Sequence, residues 1–519
     1  MERTPSDFIP EKDVFNNTAN AEQFLNNAYT SLPNIFKLGA DNNWLLASGT
    51  DESEQIWDNG LDCNYFNSGS WNAQNFPMQQ YWFNFYNSIR RINKFIENYD
   101  MIPEDELDVN RRKRMLGEAY ALRAYYYFEL FRMWGGVPLL EKSLNPSDAN
   151  GVLVPRNSAD EVVAFIKKNV ELAIPLLPAR HVDSQFGRMT SVACKFLWAR
   201  TALYFASPLH NPAKLPERWT TAAAANADAI SAAESNGYSL CLTDLNGKKA
   251  YERIFLELNN PEAIFTRPGD DFSRDQVTQS NAVGGWYGTG PTQEMAEAYQ
   301  MTNGLPIDDP ASGYNPQDPF KNRDPRFYQT IVGHGMTWKN RVVDVRPGGA
   351  DLKTDHPPTN YFLRKFMAEE VNIFNSTNKK YRPWLLMRLG ELYLNLAEAQ
   401  NEAEAAPGQI VYNAVNAIRR RANMPELPEG LTKAQMQQRI RSERQVELAF
   451  EDHRFWDVRR WKIAEVTDNR PIHYMSVSAT NIYSYPVRET RTFLTKHYLF
   501  PIPQSEIDKN PKLIQNPGW

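Results

Sequence analysis

Apolar side chains recur every three or four residues along most of this chain, and that spacing predicts helices. In 110–134, Met115, Ala119, Leu122, Tyr126, Leu130 and Met133 step along one face, and Gly135-Gly136 supplies a stop. Similar spacing predicts helices over 21–32, 79–99, 190–205, 219–235, 387–403, 409–422, 433–450 and 453–466. Ser158 with Glu161 three residues on reads as a capping box opening a further helix that Pro178 closes. Small residues (Ala121, Ala124, Ala193, Ala199, Ala397, Ala414, Ala417) stand where neighbouring helices would touch, so the helices are expected to pair in a tetratricopeptide-like way.

Two regions break the period. Residues 1–18 are polar and extended, and 34–77 is rich in Asn, Gly and Ser, as loops are. Yet 34–77 carries Trp44, Trp57, Tyr65, Phe66 and Trp71. From 237 to 382, Gly, Pro, Asn and Asp cluster around short segments, and helical order is expected to return at Pro383. The expected fold is mostly α: a helical scaffold over about 19–236 and 383–466, a loop-rich insertion with short strands and helices over about 237–382, and an irregular tail over 467–519, all one domain.

Composition narrows function mainly by exclusion. The 57 basic and 62 acidic residues nearly cancel to a net charge of -5, which is no nucleic-acid footprint. Three cysteines without a CxxC motif, Cys63, Cys194 and Cys241, read as buried thiols. Neither a metalloprotease, a nucleophile-elbow, a phosphate-loop nor an EF-hand pattern is present. The seven histidines show no ligand spacing, so no metal and no cofactor is expected. Aromatics make up 12% of the chain, with 13 Trp and 24 Tyr, enough to build binding surfaces as well as a core.

Three stretches carry a resemblance. They are IRSERQVELAFEDHRFWDVRRW (440–461), EAYALRAYYYFELFRMWGGVPLL (118–140) and YLFPIPQSEIDKNPKLIQNPGW (498–519). Together they resemble the SusD/RagB family of lipid-anchored, surface-exposed nutrient-binding proteins, and the resemblance runs from the first helices to the last residue. It implies four degenerate helix pairs supporting a loop-rich part. It also implies a glycan ligand, a SusC-type TonB-dependent transporter as partner, and an outer-membrane, outward-facing location. MERTPSDFIP holds no secretion signal, so the resemblance further implies a signal and a lipid-bearing cysteine upstream.

Sugar rings offer C–H faces and hydroxyl rims, so a binder needs aromatic planes with polar groups around them. The early loops supply Asp51, Trp57, Asp58, Trp71, Asn72 and Gln74; the insertion supplies Trp286, Tyr287, Trp338, Asn360 and Tyr361. The family's shallow site draws on these same two parts, and Trp71 stands where many members place a loop tryptophan. Trp286 is the leading candidate, because Gly284, Gly285, Gly288 and Gly290 around it cannot bury it and allow close approach. The candidate ligand-binding set is therefore Trp286, Trp71, Trp338, Tyr287, Asn72, Asp51, Trp57 and Tyr361, with no catalytic residue.

The charged run at 441–459 is expected to cross-link helices rather than bind ligand, with Arg444–Glu447, Glu451–Arg454 and Arg454–Asp457 at helical spacing and Trp456 and Trp461 over the stems. Three other readings stand beside glycan capture: a peptide or other nutrient binder on the same fold, a glycosidase built on two carboxylates such as Asp51 and Glu52, and a purely structural helical adaptor.

Overall fold

A computed structural model describes residues 11–34, 45–57, 63–105, 108–148, 150–181, 185–269, 273–353 and 359–519, with backbone only at 11, 12, 268 and 273. Trp44, Asp58, residues 1–10 of the segment expected to be extended, and 354–358 of the insertion lie outside the described residues. Contacts gather the chain into two compact units. One takes the residues up to Pro33, Met78–Thr201 and Leu499–Trp519; the other takes Asn34–Pro77 and Ala202–Tyr498.

The first unit is built around the helix Arg111–Trp134. The six residues of its expected stripe are buried, but so are Tyr125, Tyr127, Phe128 and Phe131 on its other faces. It is therefore a central helix, not an amphipathic surface one. Its buried charged groups have partners: Glu118 pairs with Arg114 and Arg188, and Arg123 donates to the neutral amides of Asn93 and Asn169. Gly135 closes it at φ 75°. A Cβ on Gly136 would lie 2.2 Å from the Asn157 carbonyl oxygen, so only glycine lets the next segment pass. The helices Thr18–Tyr29, Gln80–Glu97 and Ala159–Ala173 pack against it. The last of these opens with the capping box, Ser158 and Glu161 each accepting from the other's backbone N–H. The chain's end docks on the same helix: Trp134 Nε1 donates to the Pro501 carbonyl at 2.8 Å, and Asn516 Nδ2 donates to the Trp134 and Phe500 carbonyls.

In the second unit, Pro216–Ser235, Leu389–Ala403, Gln409–Arg421 and Lys433–Glu447 are the main helices. Ala397, Val411, Val415, Met436 and Ile440 form a shared core. Alanines at 222, 225, 229 and 233 let Pro216–Ser235 lie close to Leu389–Ala403. The chain at Pro383 does not resume as helix. Arg382–Arg388 is a fully buried strand, antiparallel to Ala263–Gly269, and the helix starts only at Leu389. The final expected helix also breaks, into His453–Arg460 and Ala464–Thr467, at Lys462 with φ 56°. The early loop contains a short helix of its own, Cys63–Ser68, which buries Phe66. All three cysteines are buried. Among the described residues no helix is long and apolar enough to cross a membrane.

The signature segment 440–461 lies inside this unit as an ion-pair network. Glu447 receives Arg388 at 2.8 Å, Arg326 at 3.0 Å and also Arg421. Glu262 meets Arg388 and Arg421, Glu443 meets Arg326 and Arg419, and Glu451 meets Arg388 and Lys365. The cross-linking role expected from sequence is present, but its pairs are different. Arg444 reaches Asp457 and Arg454 reaches Asp51, while Arg460–Asp457 is a pair at helical spacing.

Glu398 shows what such pairing does to stability. Burial raises its pKa, but the charge and hydrogen bonds of Arg460, helped by Arg444 and Trp461, bring it down to about 2 from 4.5. A folded-state pKa below the unfolded value gives stability that is complete above about pH 4.5 and is lost as pH falls towards 2. The loss expected from this group is about 3 kcal/mol. Urea unfolding followed from pH 5 to pH 2.5 should show it, and Glu398→Gln should flatten that part of the profile.

Candidate functional site

The short strand Ser53–Gln55 pairs antiparallel with Thr289–Pro291, Gln55 opposite Thr289 and Ser53 opposite Pro291. This ladder joins the early loop to the insertion. Ile56 N–H extends it by donating to the Gly288 carbonyl, and Thr292 N–H donates to the Glu52 carbonyl. The residue after Ile56 is Trp57, and its indole meets that of Trp286 with centroids 6.0 Å apart and planes tilted by 59°. Gly288 makes room for the pair, since a Cβ there would come within 2.2 Å of the Trp57 ring. Gln55 Nε2 and Asn64 Nδ2 both donate to the Trp57 carbonyl, at 3.0 and 2.8 Å.

Trp286 is held by its backbone while its ring stays 44% exposed. Four consecutive N–H groups anchor the turn: Gly285 donates to Ser280, Trp286 to Gln276, Tyr287 to Gln279 and Gly288 to Val277. Gly284, at φ 88°, lies against the backbone of Phe374, whose side chain is 72% exposed. Lys353 Nζ reaches the Trp286 carbonyl at 3.4 Å. The result is a partly exposed indole pair on a turn whose Gly284 abuts the exposed Phe374, with the Asn64 amide and the Lys353 ammonium at the carbonyls of Trp57 and Trp286. Sequence reading missed Phe374, Lys353 and Asn64. Phe374 had a signal, the one aromatic, beside Ile373, within the otherwise polar run NIFNSTNKK.

The other candidates are placed differently. Trp71 is 2% exposed; its indole stacks on His497 at 4.7 Å and meets Phe66 edge-on at 5.3 Å. Burial, with the charges of Arg459 and Lys496, holds His497 down at about 3, so that stack is with a neutral imidazole. Trp338 is buried and donates from Nε1 to Gln279 Oε1 at 2.6 Å. Tyr287 is buried against Phe362 and donates to Asn360, and Tyr361 is buried and donates to Gln293 at 2.6 Å. These four are corrected from ligand platforms to core. Trp338 and Tyr287 in fact support the turn that carries Trp286, both through Gln279. Asn72 is exposed, and its Oδ1 accepts from the N–H groups of Gln74 and Asn75 to close a tight turn. The glycines likewise admit protein and not ligand: Gly285 faces the Gln279 carbonyl, and Gly290 faces Tyr361 and Thr359.

Trp71→Ala is accordingly expected to lower stability by about 3 kcal/mol, a buried-aromatic deletion, while leaving ligand affinity unchanged. Chemical denaturation and a binding titration on the same sample check both halves.

Asp51 is also corrected. It is 1% exposed and salt-bridged to Arg454 and Arg470, both at 2.7 Å. Burial works against its charge, but these arginines hold its pKa below the usual value. Glu52 beside it goes the other way, pushed well up by burial and by the Asp51 charge. Carboxylates driven apart in this way are what acid–base chemistry uses. Here both are enclosed, Glu52 accepting from the Phe450 N–H, so no substrate bond can lie between them. Among the described residues no group of three or more His, Cys, Asp or Glu is placed to hold a metal ion.

Comparison with known proteins places this geometry among relatives. Residues 261–519 match the sequence model of the SusD family, and residues 7–203 match a model described as starch-binding, associating with the outer membrane. SusD-like protein P2 of Formosa agariphila is 24% identical, the match covering 100% of this chain and 96% of that protein. A crystal structure of a SusD-like protein from Bacteroides fragilis superposes with a TM-score of 0.83 at 27% identity, covering both chains completely. A second from the same species, described as a SusD-like carbohydrate-binding protein, gives a TM-score of 0.79 at 24% identity over 96% of this chain and all of that one.

Proposed function

This chain belongs to the SusD/RagB family, and on that premise we propose that it is a non-catalytic, cell-surface glycan-binding protein of the outer membrane. It captures oligosaccharide and delivers it to a TonB-dependent transporter of the SusC type, held to the membrane by an N-terminal lipid. The observation that carries this reading is the Trp57–Trp286 pair with Phe374 beside it. An indole held by its backbone loses little freedom on binding, so stacking a sugar ring on it costs little ordering. The partly exposed Asn64 and Lys353 reach the Trp57 and Trp286 carbonyls beside the pair, where hydroxyl groups need replacements for displaced water.

The description of the matched amino-terminal family and of the second B. fragilis protein supports a carbohydrate ligand. Enclosure of Asp51 and Glu52 supports capture without cleavage.

Native gels cast with a panel of polysaccharides, paired with a reducing-sugar assay on the same mixtures, test the reading. Retardation by at least one polysaccharide without release of reducing ends is expected. Release of sugar would overturn the non-catalytic assignment, and no retardation by any of them would shift the assignment to a peptide or other nutrient.

A further inference from the structure

The helices Pro216–Ser235, Leu389–Ala403 and Lys433–Glu447 line a cavity of about 550 Å³, within the range of small-ligand clefts. It shares no residue with the Trp57–Trp286 face. Two indoles line it, the half-buried Trp219 and the buried Trp461. Trp461 is fixed by its own N–H, which donates to Glu398 at 2.7 Å.

Over the Trp461 ring, 4.8 Å from its centroid, lies the guanidinium of Arg441. Among the described residues it has no ion pair and no hydrogen-bond acceptor, in contrast to the arginines that serve the network around Glu447. The nearby carboxylates are already engaged: Glu398 by Arg460, and Glu402 by Gln437. Burial holds the Arg441 pKa below the usual guanidinium value, although Glu398 and Glu402 oppose the shift. Lys214 and Lys462 line the same cavity without an ion pair among the described residues. Asn401, fully buried, presents an amide oxygen that no donor reaches.

A partly desolvated guanidinium without an anion is an unfavourable arrangement that a planar, bidentate carboxylate relieves. Indole walls suit a ring with a C–H face. Amides such as Asn401 and Gln437 suit hydroxyl groups. We propose that this cavity is a second ligand site, which takes a sugar ring bearing a carboxylate, a uronic acid residue, with the carboxylate on Arg441 and the ring against Trp219. The site stands independently of the Trp57–Trp286 reading.

Calorimetric titration of the whole chain with sodium glucuronate, glucose, glucose 6-sulfate and acetate tests it. Glucuronate is expected to bind at least tenfold more tightly than the other three. Its affinity should fall at least tenfold in Arg441→Met, which keeps a stem over Trp461, and in Trp219→Ala. No glucuronate binding, equal affinity for glucose, or indifference to both substitutions would overturn the site. A preference for the sulfate, or binding of acetate as tight as glucuronate, would overturn the ligand class. If Arg441→Met fails to fold, the comparison of sugars on the wild-type chain and Trp219→Ala still decide.

Discussion

Glu447→Ala is expected to destabilise the protein by at least about 5 kcal/mol, enough to prevent folding at ambient temperature. Removing one partner from a buried ion pair costs about 3–5 kcal/mol because the other charge stays enclosed. Here three guanidiniums, those of Arg326, Arg388 and Arg421, would face one another with a shared carboxylate gone. Burial alone would raise the pKa of Glu447, yet the three arginines drive it far below the carboxylate range, which measures how strongly the charges are coupled. Glu447→Gln keeps volume and one hydrogen-bond acceptor but not the charge, so most of the loss should persist. The exposed pair Arg420–Glu426 is the contrast. Arg420→Ala should change stability by less than about 1 kcal/mol, as surface pairs do. Soluble yield and urea unfolding of the three variants measure these effects. A loss below about 1 kcal/mol for Glu447→Ala would mean the network is not what holds this unit together.

Trp286→Ala is expected to cost about 2 kcal/mol of glycan affinity, a roughly 30-fold rise in Kd, with stability unchanged within about 0.5 kcal/mol. The ring is half-exposed and its anchors are backbone groups, so the turn should survive its removal. Gly288→Ala attacks the same face from beneath. Its added methyl cannot occupy space already filled by the Trp57 ring, so Trp57 must move away from Trp286. A comparable loss of affinity is expected without any change to a residue that touches sugar. Trp57→Ala combined with Trp286→Ala should show coupling of about 1 kcal/mol if the indoles act as one platform. Additive losses would mean that they contact ligand separately.

Much of the helical architecture is legible in the sequence because local signals set it. The Ser158–Glu161 pair and the Gly135-Gly136 stop act within a few residues, and both do what their chemistry predicts. The strand Arg382–Arg388 was misread for a physical reason. A fully buried strand has no alternation, so a short apolar run leading into a helix looks helical. The break at Lys462 was invisible because a lysine, not a glycine, takes the left-handed conformation there.

The candidate site divides along the same line. Exposure of Trp286 could be inferred from its glycine-rich surroundings, but burial of Trp71, Trp338, Tyr287 and Tyr361 depends on partners remote in sequence. His497 and Gln279 are not marked by any motif as neighbours of Trp71 and Trp338. The same holds for the charged signature: its residues could be assigned to structure, but Arg454 finds Asp51 across 403 residues. Spacing along a helix tells which side chains share a face, not what the face meets.

The most direct measurement is a crystal structure of the protein with a bound oligosaccharide. A sugar ring stacked on Trp286 or Trp57, its hydroxyls reached by side chains of the Asn64 and Lys353 edge, is the expected result. A ligand bound elsewhere, with the Trp57–Trp286 face left in solvent, would contradict the claim that this face captures glycan.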